Sequence, residues 1–306
     1  MPAPGTGGFA RARTRGPRAA HHARAYDRGA MFRLSRDVRF AVDLMTDEPR
    51  AVAGRNGHAG KPPVTGVGQC YYSLTVTVAG RPDEATGYLV NIRQIDEAVR
   101  QRVIPLAKSA VRAQCRGEHR GGGGLVLACF DTLRDAFGPH ALDAVELHLS
   151  PHTSLCATAA LQRRRERPMI LLHHTFEFAA SHRLHNPSLS EAQNRAVFGK
   201  CNNPHGHGHN YVLRVTLRGE PDKSGLLMKM EELERVVDEL VIEPFDHKHL
   251  NLEVDEFATL NPSVENIAMV IFRKLKEPLT GGRTWLDSVT VWETPKTWCE
   301  YREAGD

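Results

Sequence analysis

Length, composition and charge exclude several classes of protein before any motif is considered. The chain has 306 residues, of which 41% are hydrophobic and 25% are charged, and this composition is typical of a globular protein of about two domains. It has no run of about 20 apolar residues and no apolar leader, so we expect a cytoplasmic protein that does not span a membrane. Its six cysteines are scattered without a CxxC pair, which disfavours a disulfide framework.

The net charge of +4 comes from the head of the chain rather than from its body. Residues 1–30 contain six arginines and one aspartate, a charge of +5, so residues 31–306 sum to −1. The head is rich in arginine, glycine and alanine without a periodic apolar pattern, and we expect it to be disordered. Met31 opens the first patterned segment and is an alternative start site. A body without excess positive charge indicates no nucleic-acid partner.

The body contains an internal repeat whose copies lie 138 to 144 residues apart. In each copy an alternating strand is followed by a Gly/Pro/Asp turn, a second short strand and a helix. The corresponding segments are Val38–Ala41 and Phe176–Ala179, Tyr72–Ile95 and Tyr211–Leu233, and Val145–Thr153 and Val289–Thr297. The pattern indicates a tandem duplication.

The helix of each copy carries an apolar stripe and is predicted to end at a proline, Pro105 or Pro244. The stripe residues are Ile92, Ile95, Val99 and Val103 in the first copy and Met230, Leu233, Val237 and Val241 in the second. Each copy reads as three strands, two helices and a final strand over about 120 residues. We therefore predict an α+β fold of two tandem units, each an antiparallel four-stranded sheet with two helices on one face.

The repeat also predicts the domain boundaries. We expect a disordered head (1–30), a first unit (31–154), a linker (155–170) that contains an arginine-rich run, and a second unit (171–306). Two insertions in the first unit, Arg50–Val67 and the glycine-rich Gln114–Gly124, are predicted to be loops.

Three histidines of the second unit form a candidate metal site. His207 and His209 lie two residues apart on a predicted strand, so their side chains project from the same face of the sheet. His182 continues the apolar parity of the neighbouring strand and can approach the same point. Three imidazoles with one open position are typical of catalytic zinc. A lone HxH pair is a weak signal, and His205, in the turn before the strand, is more simply a solvated histidine.

Two further motifs have both a structural and a catalytic interpretation. Cys201 precedes the first strand histidine by six residues; it is either a buried thiol or a thiolate base beside a metal. Asp246 and His247 follow the first helix of the second unit. They form either a helix-ending turn or a proton relay.

Residues 175–303 resemble the 6-pyruvoyltetrahydropterin synthase and 6-carboxytetrahydropterin synthase family. The segments that carry the resemblance are FAASHRLHNPSLSEAQNRAVFGKCNNPHGHGHNY, GLLMKMEELE, DHKHLNL, SVENIA and VWETP. The resemblance implies the tunnelling (T-fold) architecture. Residue by residue, it implies zinc ligands at His182, His207 and His209 and catalytic residues at Cys201, Asp246 and His247.

The resemblance also implies residues that bind the substrate. Glu293 falls at the family's pterin-anchoring glutamate, and one carboxylate can accept two parallel N–H bonds from a 2-amino-pyrimidinone edge. Ser263 and Glu265 fall in the stretch that helps line the pterin pocket. Val264 replaces a hydroxyl residue there, which weakens that contact.

The implied activity is that of a zinc-dependent carbon–oxygen lyase. It converts 7,8-dihydroneopterin triphosphate to 6-pyruvoyltetrahydropterin with loss of triphosphate, as in tetrahydrobiopterin biosynthesis. Five residues separate Cys201 from His207, as in the family's pyruvoyl enzymes, whereas three typically do so in its carboxy enzymes. The resemblance therefore favours the pyruvoyl product over the 6-carboxytetrahydropterin of deazapurine (queuosine) biosynthesis. A second alternative is a non-catalytic pterin-binding zinc protein.

The first unit lacks the site residues. Gly68, Cys70 and Leu149 align with His207, His209 and Glu293, and the position of His182 falls near Leu44. We therefore expect a degenerate scaffold unit and about one zinc ion per chain. Because T-fold units close into barrels, we also expect a homo-oligomer, and a homotrimer would supply six units for two barrels.

Overall fold

The computed structural model describes residues 31–43, 69–117, 121–138, 140–163 and 167–303. The predicted disordered head (1–30) and the insertion Arg50–Val67 lie outside the described residues. All six cysteines are free thiols in the structure. No helix within the described ranges is long and apolar enough to cross a membrane.

A single sheet runs through the whole of the described chain. Its strands are β1 (Phe32–Asp43), β2 (Gln69–Gly80), β3 (Ala141–His148), β4 (Thr153–Thr158), β5 (Ile170–His182), β6 (His207–Gly219), β7 (Lys248–His249), β8 (Thr284–Thr294) and β9 (Thr297–Tyr301). Eight of these strands pair antiparallel in the order β1-β2-β3-β4-β5-β6-β8-β9, and the short β7 pairs parallel with β5. The architecture is α+β, as predicted.

Helices cover one face of this sheet. They are α1 (Ile92–Ala98), α2 (Ile104–Cys115), α3 (Gly121–Leu133), α4 (Ala159–Arg163), α5 (Glu191–Phe198), α6 (Met230–Val237), α7 (Glu243–Phe245), α8 (Leu250–Glu253) and α9 (Val264–Lys276). Three of the four predicted stripe residues are fully buried in each half: Ile95, Val99 and Val103, and their counterparts Leu233, Val237 and Val241. The first member is not, since Ile92 is 46% exposed and Met230 is only partly buried. The buried helix side chains pack with apolar strand side chains in one core. Residues three or four apart share one face of a helix, and every second residue shares one face of a strand, so both sets can face the same layer.

The two halves have corresponding strand registers. Val38 pairs with Leu74 in the first half, and Phe176 pairs with Leu213 in the second, at the positions that the sequence repeat equates. The β2–β3 ladder shifts register after Thr77, and the β6–β8 ladder shifts register after Thr216, which is the equivalent position of the second half. The halves therefore share backbone details as fine as a bulge.

The predicted short strand after each turn is wrong. Residues 87–91 and 225–229 form no ladder, and each half instead has a fourth strand at its end, β4 or β9. The residues after the first turn are used differently: Leu89 and Val90 are buried, and the Asn91 side chain accepts a hydrogen bond from Arg93 N at the start of α1. Their apolar character reflects this packing rather than strand pairing.

Pro105 does not end its helix. A π-helical turn, Val99–Val103, joins α1 to α2, and Pro105 lies in the first turn of α2, which continues to Cys115. The wider turn accommodates the proline ring, and the missing N–H falls where a helix segment begins. In the second half a π turn, Asp238–Ile242, also precedes the proline, but the helix ends at Phe245 as predicted.

Two segments predicted to be irregular are regular structure. The four glycines of the predicted loop Gln114–Gly124 form the first turn of α3, while residues 118–120 lie outside the described chain. The predicted linker 155–170 contains most of β4 and all of α4, and it ends at the first residue of β5. Leu155 and Ala157 are fully buried there, because β4 pairs with β3 on one side and with β5 on the other.

A ladder of β4 with β5 joins the two halves of the chain. Thr153–Cys156 pair with Leu171–His174, so both halves belong to one continuous sheet. This ladder lies within one chain, and the homotrimer stays a prediction.

The glycines of α3 allow a close contact between the halves. Gly123 N donates to Gly225 O at 2.9 Å, and a Cβ at Gly123 would lie 2.5 Å from that oxygen. We expect Gly123→Ala to lower the free energy of unfolding by about 1–3 kcal/mol, measured by urea denaturation, because backbone must move to admit the methyl group. Gly281→Ala is the control, since a Cβ at Gly281 meets no atom within 4 Å. Equal stability of both variants with the parent would contradict the contact.

Candidate metal centre

The three predicted histidines lie at one end of the β5–β6 hairpin. His182 is the last residue of β5 and pairs with His207, the first residue of β6, while His209 pairs with Ala180. The three side chains share the helix-covered face, since their strand positions differ by an even number of residues or are directly paired. Gly206, with a φ of +73°, turns the chain into β6 so close to His182 that a Cβ would lie 2.9 Å from the His182 carbonyl oxygen.

The structure brings these imidazoles together with one carboxylate. His182, His207, His209 and Glu293 each offer one donor atom, and the four atoms lie within 4.8 Å of one another. The two Nε2 atoms of His182 and His207 are 3.1 Å apart. Glu293 Oε1 is 3.3 Å from His182 Nε2 and 3.4 Å from His209 Nε2. Four donors at these separations can surround one small cation.

His182 is oriented by groups far from it in sequence. Its ring is fully buried, and its Nδ1–H donates to the carbonyl oxygen of Pro262 at 2.7 Å. The hydroxyl of Tyr211 lies 3.4 Å from the same nitrogen. A donating Nδ1 leaves the lone pair on Nε2, the nitrogen that faces the other donors, and this is the usual arrangement behind a metal-binding histidine.

The surroundings of the other two imidazoles favour their neutral form. Burial, followed by the charges of His182 and His209, lowers the pKa of His207. Burial is also the largest cause that lowers the pKa of His209. Within the described chain, His209 Nε2 and His207 Nδ1 are buried without a hydrogen-bond partner. Neutral rings with an unpaired buried nitrogen fit a cation, which needs the lone pair of an unprotonated imidazole.

Glu293, at the end of β8, lies beside two of the three imidazoles. The interaction with His182, ahead of the opposing effect of burial and of the proximity of His209 and His207, lowers the pKa of Glu293. The sequence predicted this carboxylate as a pterin anchor and gave no sign that it would join the donor group. The register of β8 on β6, with Trp292 opposite Val212, brings it there.

Asp246 and His247 form a hydrogen-bonded pair beside β5. Asp246 Oδ2 accepts from His247 Nδ1 at 2.7 Å, and its Oδ1 accepts from the backbone N–H of Ala179 at 2.7 Å. These bonds lower the pKa of Asp246, with the Ala179 bond the largest cause. His247 has a φ of +56°, the one non-glycine residue with positive φ among those described, and its ring is 82% exposed. The pair presents a fixed imidazole tautomer to solvent.

Cys201 lies in a short 3-10 turn, Gly199–Asn202, between α5 and β6. The turn is tied to the end of β5, because Leu184 N donates to the Cys201 carbonyl at 2.9 Å. The thiol is half-buried. Burial, then the proximity of Glu293 and of Cys201, raises the pKa of Tyr211.

The remaining candidates are not part of the donor group. Ser263 is the N-cap of α9 and accepts from Asn266 N, directly after the Pro262 carbonyl that binds His182. Glu265 is exposed in the first turn of α9. His205 is exposed in the turn before β6, as the solvated interpretation predicted.

The equivalent positions of the first half hold no second donor group among the residues that the structure describes. Cys70 lies on β2 where His209 lies on β6, and Leu149, at the position of Glu293, is exposed. Gly68 and Leu44, the counterparts of His207 and His182, lie outside the described residues.

In comparisons with known proteins, residues 171–304 match the family model described as "6-pyruvoyl tetrahydropterin synthase". A protein of Drosophila melanogaster named 6-pyruvoyl tetrahydrobiopterin synthase is 39% identical over 138 residues, which are 45% of this chain and 82% of the relative. A protein of Haemophilus influenzae named 6-carboxy-5,6,7,8-tetrahydropterin synthase is 32% identical over 34% of this chain and 86% of the relative.

Among solved structures, the 6-pyruvoyl tetrahydropterin synthase of Caenorhabditis elegans is 40% identical and covers 45% of this chain and 98% of its own, with a TM-score of 0.42. The family match spans all the donor residues, Cys201 and the Asp246–His247 pair.

Proposed function

Because the chain belongs to the 6-pyruvoyl tetrahydropterin synthase family, we propose that it converts 7,8-dihydroneopterin triphosphate to 6-pyruvoyltetrahydropterin with loss of triphosphate. The reaction is that of a carbon–oxygen lyase. The observation that carries the proposal is the donor group of three imidazoles and one carboxylate, which lies in the same unit as Cys201 and the Asp246–His247 pair.

We assign the metal to His182, His207 and His209 as zinc, and the chemistry of the donors supports it. Neutral imidazoles suit zinc, and three of them leave a coordination position open for substrate. Bound zinc supplies Lewis acidity toward side-chain oxygens of the substrate. Pro262 and Tyr211 keep the His182 ring in position for this role.

The acid–base steps belong to this chain's own side chains. Cys201, as a thiolate, removes a proton from the substrate side chain. His247 moves a second proton, and Asp246 holds its Nδ1 so that Nε2 is the exchanging atom. No nicotinamide or flavin is required, since the oxidation of one side-chain carbon is matched by reduction within the same molecule.

Glu293 anchors the pterin in this proposal. A carboxylate with a lowered pKa stays ionised and accepts two N–H bonds from the 2-amino-pyrimidinone edge. Ser263 and Glu265 are assigned to the pocket wall at the start of α9, next to the carbonyl that orients His182.

The domain organisation is part of the same proposal. We assign residues 31–154 to a degenerate T-fold unit that acts as a scaffold and residues 171–306 to the catalytic unit. The matching registers and the shared bulge position support descent of both from one duplicated unit.

Two alternatives make different predictions. A 6-carboxytetrahydropterin synthase uses the same substrate and the same donors, and relatives of both names are similar to this chain. A non-catalytic pterin-binding zinc protein has no need of Cys201, Asp246 and His247 together, which disfavours it.

The test is a product assay. Purified protein incubated with 7,8-dihydroneopterin triphosphate is expected to release inorganic triphosphate and to form 6-pyruvoyltetrahydropterin, identified by mass spectrometry. Formation of 6-carboxytetrahydropterin instead would show that the first alternative is correct. Pterin binding without triphosphate release would favour the second.

A further inference from the structure

The chain leaves the sheet directly after the ligand His182, at the end of β5. The next four residues, 183–186, form neither helix nor strand. No ladder or helix therefore binds their backbone N–H and C=O groups, and backbone groups in this situation need other partners. Side chains from several other elements supply them.

Four asparagine side chains bind the backbone of residues 183–186. An asparagine amide carries both an acceptor oxygen and two N–H donors, so it can bind a backbone N–H and a backbone C=O alike. The bonds are Arg183 N to Asn251 Oδ1 (2.8 Å), Asn251 Nδ2 to Arg183 O (3.0 Å), Asn202 Nδ2 to Leu184 O (2.8 Å), His185 N to Asn261 Oδ1 (3.2 Å), Asn186 N to Asn194 Oδ1 (2.8 Å) and Asn194 Nδ2 to Asn186 O (2.9 Å). The segment is held along its whole length.

Leu184 joins this segment to the turn that carries Cys201. The Leu184 N–H donates to the Cys201 carbonyl oxygen at 2.9 Å, and the Leu184 carbonyl oxygen accepts from Asn202 Nδ2. In addition, Arg183 Nε donates to the carbonyl oxygen of Asn202 at 3.3 Å. Three hydrogen bonds therefore fasten the Cys201 turn to the residues that directly follow a predicted metal ligand.

Asn202 is the side chain that ties the turn to the segment. It is 4% exposed, although it lies in a short turn between two elements. Its Nδ2 also lies 3.1 Å from His185 Nδ1, so the buried amide has two acceptors on one segment. Removal of the amide would leave the Leu184 carbonyl oxygen without this donor, and a polar group that loses its partner on burial is costly.

The ligand and the segment also share a support on the approach to α9. The Pro262 carbonyl oxygen accepts from the His182 ring, and the preceding Asn261 side chain accepts from His185 N. The Asn261 carbonyl oxygen in turn accepts from Asn266 Nδ2 at 2.8 Å. One loop therefore orients the imidazole and holds the segment to which the Cys201 turn is tied.

We propose that Asn202 is a positioning residue: it fixes the Cys201 turn on residues 183–186 and thereby sets where the thiol lies relative to the metal ligands. This inference rests on the proposed function, because Cys201 is the base assigned there. Catalysis by a positioned group depends steeply on geometry, and a displacement of about 1 Å can cost about 100-fold in rate. Asn202 acts through Cys201 rather than on the substrate.

A double-mutant cycle with Cys201 tests this role. Asn202→Ala is expected to lower kcat by about 10–100-fold and to leave KM and zinc content unchanged, because the grouped donor atoms belong to other residues. In the Cys201→Ala background the same substitution is expected to have no further effect on kcat, since no thiol remains to be positioned. Equal losses of kcat in both backgrounds would indicate general structural damage and would overturn the proposal.

Hydrogen exchange tests the geometry without any assay of turnover. In Asn202→Ala the Leu184 amide, which is bound to the Cys201 carbonyl, is expected to exchange about tenfold faster than in the parent. Asn91→Ala is the matched control. It also removes a bond between an asparagine side chain and the backbone, to Arg93 N in the first half, and should leave Leu184 exchange unchanged. Unchanged exchange in Asn202→Ala would overturn the proposal.

A second variant keeps the test valid if Asn202→Ala does not fold. Asn251→Ala removes the two bonds to the Arg183 backbone and is expected to lower kcat with the same dependence on Cys201. The outcomes also separate this inference from the proposed function. A parent without turnover whose Leu184 exchange still responds to Asn202→Ala would contradict the proposed function alone. An active parent whose kcat responds to neither variant would contradict the positioning role alone.

Discussion

Replacement of His209 by alanine is expected to remove both bound zinc and turnover. The imidazole supplies one of three neutral nitrogen donors, and two remaining imidazoles hold a cation weakly. Loss of an outer-shell partner alone costs about 10–100-fold in metal affinity, so loss of a ligand should exceed that. His209 is a better test than His182, because the fully buried His182 ring also contributes to packing. The measurements are zinc per chain by elemental analysis and the rate of triphosphate release.

The matched control is His205→Ala. His205 lies two residues before His207 but is exposed and outside the donor group. This variant is expected to keep both zinc and activity. If His209→Ala retained a full complement of zinc, or if His205→Ala lost it, the assignment of ligands would be wrong.

Cys201→Ala is expected to separate catalysis from metal binding. The thiolate is the proposed base, and a positioned acid–base group contributes about 10²–10⁴-fold to a rate. The variant should therefore lose turnover by about that factor and retain zinc, since sulfur is not among the grouped donor atoms. The rate of triphosphate release and the zinc content of the same sample measure both effects.

Cys115→Ala controls for the loss of an exposed thiol elsewhere in the chain. It should leave turnover unchanged. Normal turnover of Cys201→Ala would remove the proposed base, and loss of zinc from that variant would show that the thiol supports the metal rather than the proton transfer.

The parts of the site that follow from local periodicity could be predicted from the sequence. His207 and His209 share a face because strand side chains alternate, and His182 continues the parity of Phe176, Phe178 and Ala180 on the paired strand. The apolar helix stripes were predictable for the same reason.

Features that depend on distant contacts could not be predicted. The Pro262 carbonyl that orients His182 lies 80 residues further along the chain. Glu293 reaches the imidazoles only through the register of β8 on β6. Neither contact leaves a signal in the local pattern.

Glycine and proline misled the sequence prediction for physical reasons. Gly121–Gly124 look like a loop, yet they begin α3, where a Cβ at Gly121 or Gly123 would collide with the backbone of the second half. Pro105 looks like a helix stop, yet a π turn accommodates it. In both cases tertiary packing overrides the local preference.

The zinc content of the purified, unmodified chain tests the central claim most directly. Three imidazoles of the second half have donor atoms close enough to bind one cation, and the described positions of the first half offer no matching donor group. Elemental analysis is therefore expected to give about one zinc ion per chain. A value near two, or a chain that binds no zinc and still releases triphosphate, would contradict the account.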